Sequence, residues 1–177
     1  YHHMVRAEKF DEARKLFANR LHRPLFSQIG AYVTVIELMR ALFIDSDDKT
    51  SHLKEEFAQA WVFNELANAY SLSGQPRSAA PVIGSAVQIN QKIGNKKNAA
   101  ISLGNEAFNQ INIGILQDAE SNLQKSLDIS KETQEKFWEA TAYLHFGMLY
   151  SYRGAWDQAN QTLDIAFNMF QEQSQLH

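Results

Sequence analysis

The 177 residues contain no cysteine, and proline and glycine are scarce at 3 and 8 copies. Without thiols there are no disulfides, cysteine nucleophiles or cysteine-ligated zinc sites, so no feature requires an oxidising compartment. A cytoplasmic location is the expectation. Positive charge is not in excess either: the formal net charge is −3 and the isoelectric point is near 6.1. Nucleic-acid modules carry clustered Lys and Arg, so DNA and RNA are not the expected partners. Long hydrophobic runs are also missing. The most apolar stretch, residues 31–44, is interrupted by Thr34, Glu37 and Arg40, too short and too polar for a bilayer core of about 30 Å. Neither a membrane segment nor a secretion signal is expected. What is present, 45% hydrophobic and 21% charged residues, fits one ordinary globular domain.

A fixed period organises the chain. Gly74, Gly114 and Gly154 lie 40 residues apart, as do Ala79, Ala119 and Ala159, and Ile83, Leu123 and Leu163. Ala86, Ser126 and Ala166 form a column of small residues, and Phe63, Leu103 and Tyr143 a bulky one. Within each unit, apolar residues recur at three- and four-residue steps, stop at the glycine and resume. Each unit therefore reads as helix, Gly-centred turn, helix. Gly74 suits the left-handed position after a helix, and Pro76 the first turn of the next. Pro81, further inside that helix, is expected to kink it or loosen its first turns.

These columns resemble the tetratricopeptide repeat. One unit supplies Phe63, Leu66-Ala67, Tyr70, Gly74, Ala79, Ile83 and Ala86, and another Tyr143, Phe146-Gly147, Tyr150, Gly154, Ala159, Leu163 and Ala166. The middle unit departs from the pattern, with Glu106 and Gln110 at the Leu and Tyr positions and Leu103-Gly104 one turn early. Small Ala67, Ala107 and Gly147 are expected to let neighbouring helices approach closely. The common repeat has 34 residues, so six more add roughly 9 Å of helix per hairpin at about 1.5 Å per residue. The resemblance implies an all-α fold, a right-handed superhelix of antiparallel helical hairpins of the α-solenoid type, with regular repeats at about 60–99, 100–139 and 140–177 within residues 51–177.

Residues 1–50 are less regular. Ala13 and Phe17 read as the second helix of a hairpin whose first helix should precede Tyr1, and Tyr32, Val35, Ile36 and Met39 as another helix. Only 22 residues separate Ala13 from Val35, so the helix around residues 24–29 should be short. The segment 45–50 is expected to be a loop, with Thr50 or Ser51 capping the helix that follows. The chain is expected to be one continuous domain and part of a longer array.

Sites for chemistry do not emerge. Gly94-Asn95-Lys96 lacks the upstream glycine and the following Ser or Thr of a phosphate loop. No pair among the six histidines has the i, i+4 spacing that puts two metal ligands on one helical face. Glu65 and Glu106, on successive helices without an acid or base partner, read as surface charge. No enzyme, cofactor or metal is expected.

Stacked hairpins offer an extended inner wall built from the first helix of each. The resemblance maps Trp61, Asn64, Asn68 and Ser71 onto that wall, then Ile101, Asn105, Phe108 and Asn112, then Thr141, His145, Met148 and Tyr152. This lining is polar and almost uncharged. Asn side chains combine donor and acceptor and suit the backbone of an extended peptide, while Phe108, Met148 and Tyr152 add apolar contact. Tetratricopeptide domains that clamp a terminal carboxylate add fixed cations, which are absent from the matching positions here. Further cues, among them 68–76, 94–98 and 152–156, are similar to the repeat arrays of bacterial STAND-type signalling ATPases. That likeness implies a non-catalytic sensor or regulatory module that binds a protein or extended peptide. A scaffold without its own ligand, self-associating through exposed repeat ends, is the alternative, and an enzyme built on helical repeats the third.

Overall fold

The computed structural model describes residues 1–44 and 48–175. Among them it forms nine α-helices and two π-helical segments, with one isolated backbone bridge, Phe43 to Ser51. The fold class is all-α, as expected. Two compact units divide the chain, Tyr1–Ile93 and Gly94–His177. The first holds α1 (His2–Arg6), α2 (Phe10–Leu16), π-helical turns over Phe17–Leu21 and Arg23–Ile29, α3 (Tyr32–Arg40), α4 (Glu56–Leu72) and α5 (Pro76–Lys92). The second holds α6 (Lys96–Asn112), α7 (Leu116–Glu132), α8 (Lys136–Tyr152) and α9 (Trp156–Ser174).

From α4 onward the helices start 20 residues apart, half the repeat visible in the sequence. Five of the six have 17 residues and α9 has 19. Gly74, Gly94, Gly114 and Gly154 supply the left-handed backbone of the turns, with φ of 81°, 68°, 82° and 72°. After α4, the N–H of Gln75 reaches the Tyr70 carbonyl at 2.8 Å and that of Gly74 reaches Ser71 at 3.1 Å. These are the paired bonds of a Schellman ending, and they satisfy carbonyls the helix leaves open. The same pair closes α6, α7 and α8. Gly94-Asn95-Lys96 has a structural use: Asn95 accepts from the Asn98 N–H at 3.2 Å and caps α6.

The long helices pack as hairpins. In the first unit α4 packs on α5 and α3, and its core joins Phe17, Met39, Leu42, Val62, Leu66 and Ile83. In the second unit α6 packs on α7 and α8, α7 on α8, and α8 on α9. Leu123, Leu127, Phe146 and Leu149 are central there. A charge-swapped pair closes the open end within each of two hairpins at equivalent positions: Lys92 bonds Glu56 between α5 and α4, and Lys96 bonds Glu132 between α6 and α7. Exposed pairs of this kind are worth about 0–1 kcal/mol.

Pro81 lies inside α5, which runs unbroken from Pro76 to Lys92, and the first turn keeps its bonds from the N–H groups of Ser78 and Ala79 to Gln75. One local expectation needs correction. Neither Thr50 nor Ser51 caps α4: that helix starts at Glu56, and the Ser51 hydroxyl instead accepts from the Leu53 N–H at 3.4 Å. The short helix expected around 24–29 is there as the seven-residue segment Arg23–Ile29, but its backbone is π-helical and it runs on from α2 through Phe17–Leu21. Of the expected loop at 45–50, residues 45–47 lie outside the described residues. Asp48 is buried.

Candidate functional site

In the first unit, Asn64, Asn68 and Ser71 share one face of α4 with Trp61, and all four are half-buried. Trp61 is occupied by its own unit. Its ring meets Phe17 edge-on at 6.3 Å and His22 at 6.1 Å, and the Arg14 guanidinium lies over it at 5.7 Å. Below it, His22 Nε2 and Glu65 Oε2 are 2.7 Å apart, and Asn64 donates to the other Glu65 oxygen at 3.4 Å. Glu65 is thus a buried, bonded carboxylate and not surface charge. The hydrogen bond to Glu65 raises the His22 pKa above its ordinary value, against the opposing effect of burial.

In the second unit, Asn105, Phe108 and Asn112 follow one another along α6, as His145, Met148 and Tyr152 do along α8. The structure brings these two rows together. Phe108 and His145 stack with ring centroids 5.2 Å apart and planes within 28°. Asn105, Phe108 and Met148 are half-buried, whereas Asn112 and Tyr152 at the helix ends are exposed. No Lys, Arg, Asp or Glu stands in either row. His145 is half-buried like its neighbours, but its ring is largely shielded from water. Desolvation pushes its pKa down to about 4, against a backbone hydrogen bond at Gly104, and its Nδ1 is buried without a hydrogen-bond partner. It supports Phe108 as a neutral ring and presents no charge.

The middle-unit departures from the repeat pattern have a polar explanation. Gln110 accepts from the Asn122 side chain of α7 at 3.1 Å, replacing the tyrosine that packs in the other units. Glu106 is half-buried, and desolvation raises its carboxyl pKa while Lys125 opposes the shift. It too is not simple surface charge.

One cluster had no sequence signal. Tyr70 donates to Asp48 Oδ2 at 2.7 Å, and Arg40 Nε donates to Asp48 Oδ1 at 3.1 Å. Burial, then the bond to Asp48, pushes the Tyr70 hydroxyl up to about 12. A cleft of about 470 Å³ opens beside this cluster, bounded also by Ile36, Gln75 and Pro81. Arg40 and Asp48 neutralise each other there, and the neutral tyrosine is a donor, so the cluster anchors a loop more readily than it supplies a nucleophile and base. Among the described residues no group of three His, Cys, Asp or Glu side chains is placed to hold a metal ion, and no helix is long and apolar enough to cross a membrane.

No protein-family model matches the sequence, and no curated protein is recognisably related. Among solved structures, the chain is similar to the crystal structure of BtubC (BKLC) from P. vanneervenii, with a TM-score of 0.67 and 19% identity over 97% of this chain and 74% of that one. At that identity the likeness speaks for the helical fold.

Proposed function

We propose that this chain is a non-catalytic recognition module of the tetratricopeptide kind, binding a protein or extended peptide along the first helices of its hairpins, as a cytoplasmic sensor or regulatory part of a larger signalling protein. The observation that carries the reading is the stacking of Phe108 on His145, which sets the α6 row beside the α8 row. Two adjacent rows can contact both sides of an extended strand. Asn105 and Asn112 offer amide donors and acceptors to its backbone, while Met148 and Tyr152 offer apolar surface to its side chains. Because the rows carry no formal charge, binding should depend little on salt.

The test is a crosslinking capture from lysate, comparing the wild-type chain with an Asn105→Ala, Asn112→Ala variant whose helicity is checked by circular dichroism. A partner enriched by the wild type and lost with the variant supports the reading, with affinity at least tenfold weaker once the partner is purified. Equal capture by both, or capture by neither, overturns it.

A further inference from the structure

The chain from Phe10 to Ile29 is helical throughout, but its winding changes after Leu16. Phe17–Leu21 and Arg23–Ile29 are π-helical, five and seven residues long. A π-helix is rare and mostly confined to a single-turn bulge, so two such segments in succession need a cause. Pro24 supplies part of it. In an α-helix its ring would press on the Arg20 carbonyl and leave that oxygen without an N–H partner, and a wider turn relieves the clash. A proline alone, however, kinks or breaks a helix. Something further holds the chain in one continuous winding.

His22, between the two π segments, makes that hold. Its Nε2 lies 2.7 Å from Glu65 Oε2, and its ring stacks on Phe26 and meets Trp61, with centroids 5.1 and 6.1 Å away. Glu65 is buried on α4, where Asn64 donates to its other oxygen at 3.4 Å. The second π segment is otherwise lightly held. None of Arg23–Ile29 is fully buried, whereas Phe17, at the start of the first segment, is. Val35, Leu38 and Met39 fix α3 in the core, and Gly30, left-handed at φ 68°, is the swivel between. A lightly buried segment between two anchored ends is suited to local movement.

We propose that residues 17–29 form a two-state element latched by His22 on Glu65. Latched, the chain winds through Pro24 in π turns, with His22 against Trp61 and Phe26 stacked on His22. Released, it rewinds as α-helix on either side of Pro24 and kinks there. An i→i+5 turn takes up roughly one residue more than an i→i+4 turn. Rewinding therefore turns His22 away from Glu65 and carries Phe26 around the axis relative to the buried Phe17. The face of α4 that bears Trp61 and Glu65 then opens, and a cation that takes Glu65 from His22 moves the segment before α3. All the parts lie in the first unit, so the device stands independently of the α6 and α8 rows.

Scalar couplings across hydrogen bonds, read by NMR on the isotope-labelled 177-residue chain, identify the carbonyl that each N–H binds and test the proposal. In the wild type the amides of residues 25–29 should couple to carbonyls five residues back. His22→Phe keeps a ring beside Phe26 and Trp61 and removes the bond to Glu65. In that variant the couplings should move to carbonyls four residues back. Amide exchange over 25–29 should quicken about tenfold, the weight of one hydrogen bond to a charged group. The Trp61 indole resonance should shift while those of Trp138 and Trp156 stay in place. Glu65→Leu should do the same, and if it fails to fold, His22→Phe decides alone. Pro24→Ala, with the latch intact, should keep the wild-type pattern. A wild type with four-residue couplings or an unchanged pattern in His22→Phe overturns the proposal. So does a Pro24→Ala chain that reverts to α-helix, because the proline alone then sets the π turns.

Discussion

Gln134 occupies the turn position that Gly114 holds 20 residues earlier, with the same left-handed backbone, φ 58° against 82°. Its N–H and that of Glu135 close α7 on Lys131 and Ser130 at 3.2 and 2.9 Å, as in the glycine turns. A side chain in this conformation costs about 1–2 kcal/mol, and glycine returns part of that gain as extra entropy of the unfolded chain. Gln134→Gly should therefore stabilise the second unit by about 0.5–1 kcal/mol. Gly114→Ala is the mirror test. A Cβ there has open space around it, so any loss is backbone strain alone, about 1 kcal/mol. Urea denaturation of both variants measures the two effects.

Gly147 of α8 lies close against α9. A Cβ on it would lie 2.5 Å from Leu163 Cγ and 3.3 Å from Thr162 Oγ1. Gly147→Ala gains about 1 kcal/mol of helix propensity and meets overpacking worth about 1–3 kcal/mol, so a net loss is expected. Truncating the obstructing side chain should relieve it: Gly147→Ala with Leu163→Ala should cost less than the sum of the single changes. Gly104→Ala is the control. It meets only the Ser126 hydroxyl at 3.3 Å and should be close to neutral. Thermal melts of the four variants decide this.

The 40-residue period was legible because the turn glycines and the small-residue columns recur at fixed spacing, and Gly147 against Leu163 shows why a small residue is needed there. The 20-residue half-period was not. Alternate helices carry unlike sequences, and Gln134 breaks the run of turn glycines at the one position that would have completed it. The expectation that Asn105, Phe108, His145 and Met148 share one wall rested on the repeat resemblance, and the stacking of His145 on Phe108 had no signal in the sequence, since it depends on the neighbouring helix. Glu65 and Asp48 were illegible for another reason. Their partners, His22 and Tyr70, lie 43 and 22 residues away, and a lone carboxylate in sequence gives no sign of what it will meet. The π-helical turns likewise have no periodic signature that separates them from an ordinary helix.

Tyr70 fixes the chain before α4 through the buried Asp48. Tyr70→Phe keeps the ring and removes the 2.7 Å bond, leaving one carboxylate oxygen buried without its donor while Arg40 still holds the other. An unsatisfied buried group costs about 1–3 kcal/mol. The loss should be local: amide exchange should quicken around Asp48 and the Phe43–Ser51 bridge, while amides of α8 stay as protected as before. A uniform loss of protection would show that Tyr70 acts through packing and not through this bond.

His22 and His145 should respond to pH in opposite directions. His145 has its pKa lowered to about 4 by desolvation, from about 6.5 in an unfolded chain. Its contribution is fully present above about 6.5 and is lost as pH falls from there toward about 4, about 3 kcal/mol in all. His22 has its pKa raised by the bond to Glu65. Its contribution is present below about 6.5 and disappears as pH rises through the higher folded value. A proton NMR titration should show the His145 ring unchanged down to mildly acidic pH, with His22 still protonated after an exposed histidine has lost its proton. His145→Phe keeps a ring against Phe108 and should remove the acid-side loss of stability in the second unit. Glu65→Gln should return the His22 titration toward its ordinary value and flatten the alkaline side. If His145 titrates near 6.5, its ring is hydrated, and the packed support assigned to it beneath Phe108 is wrong.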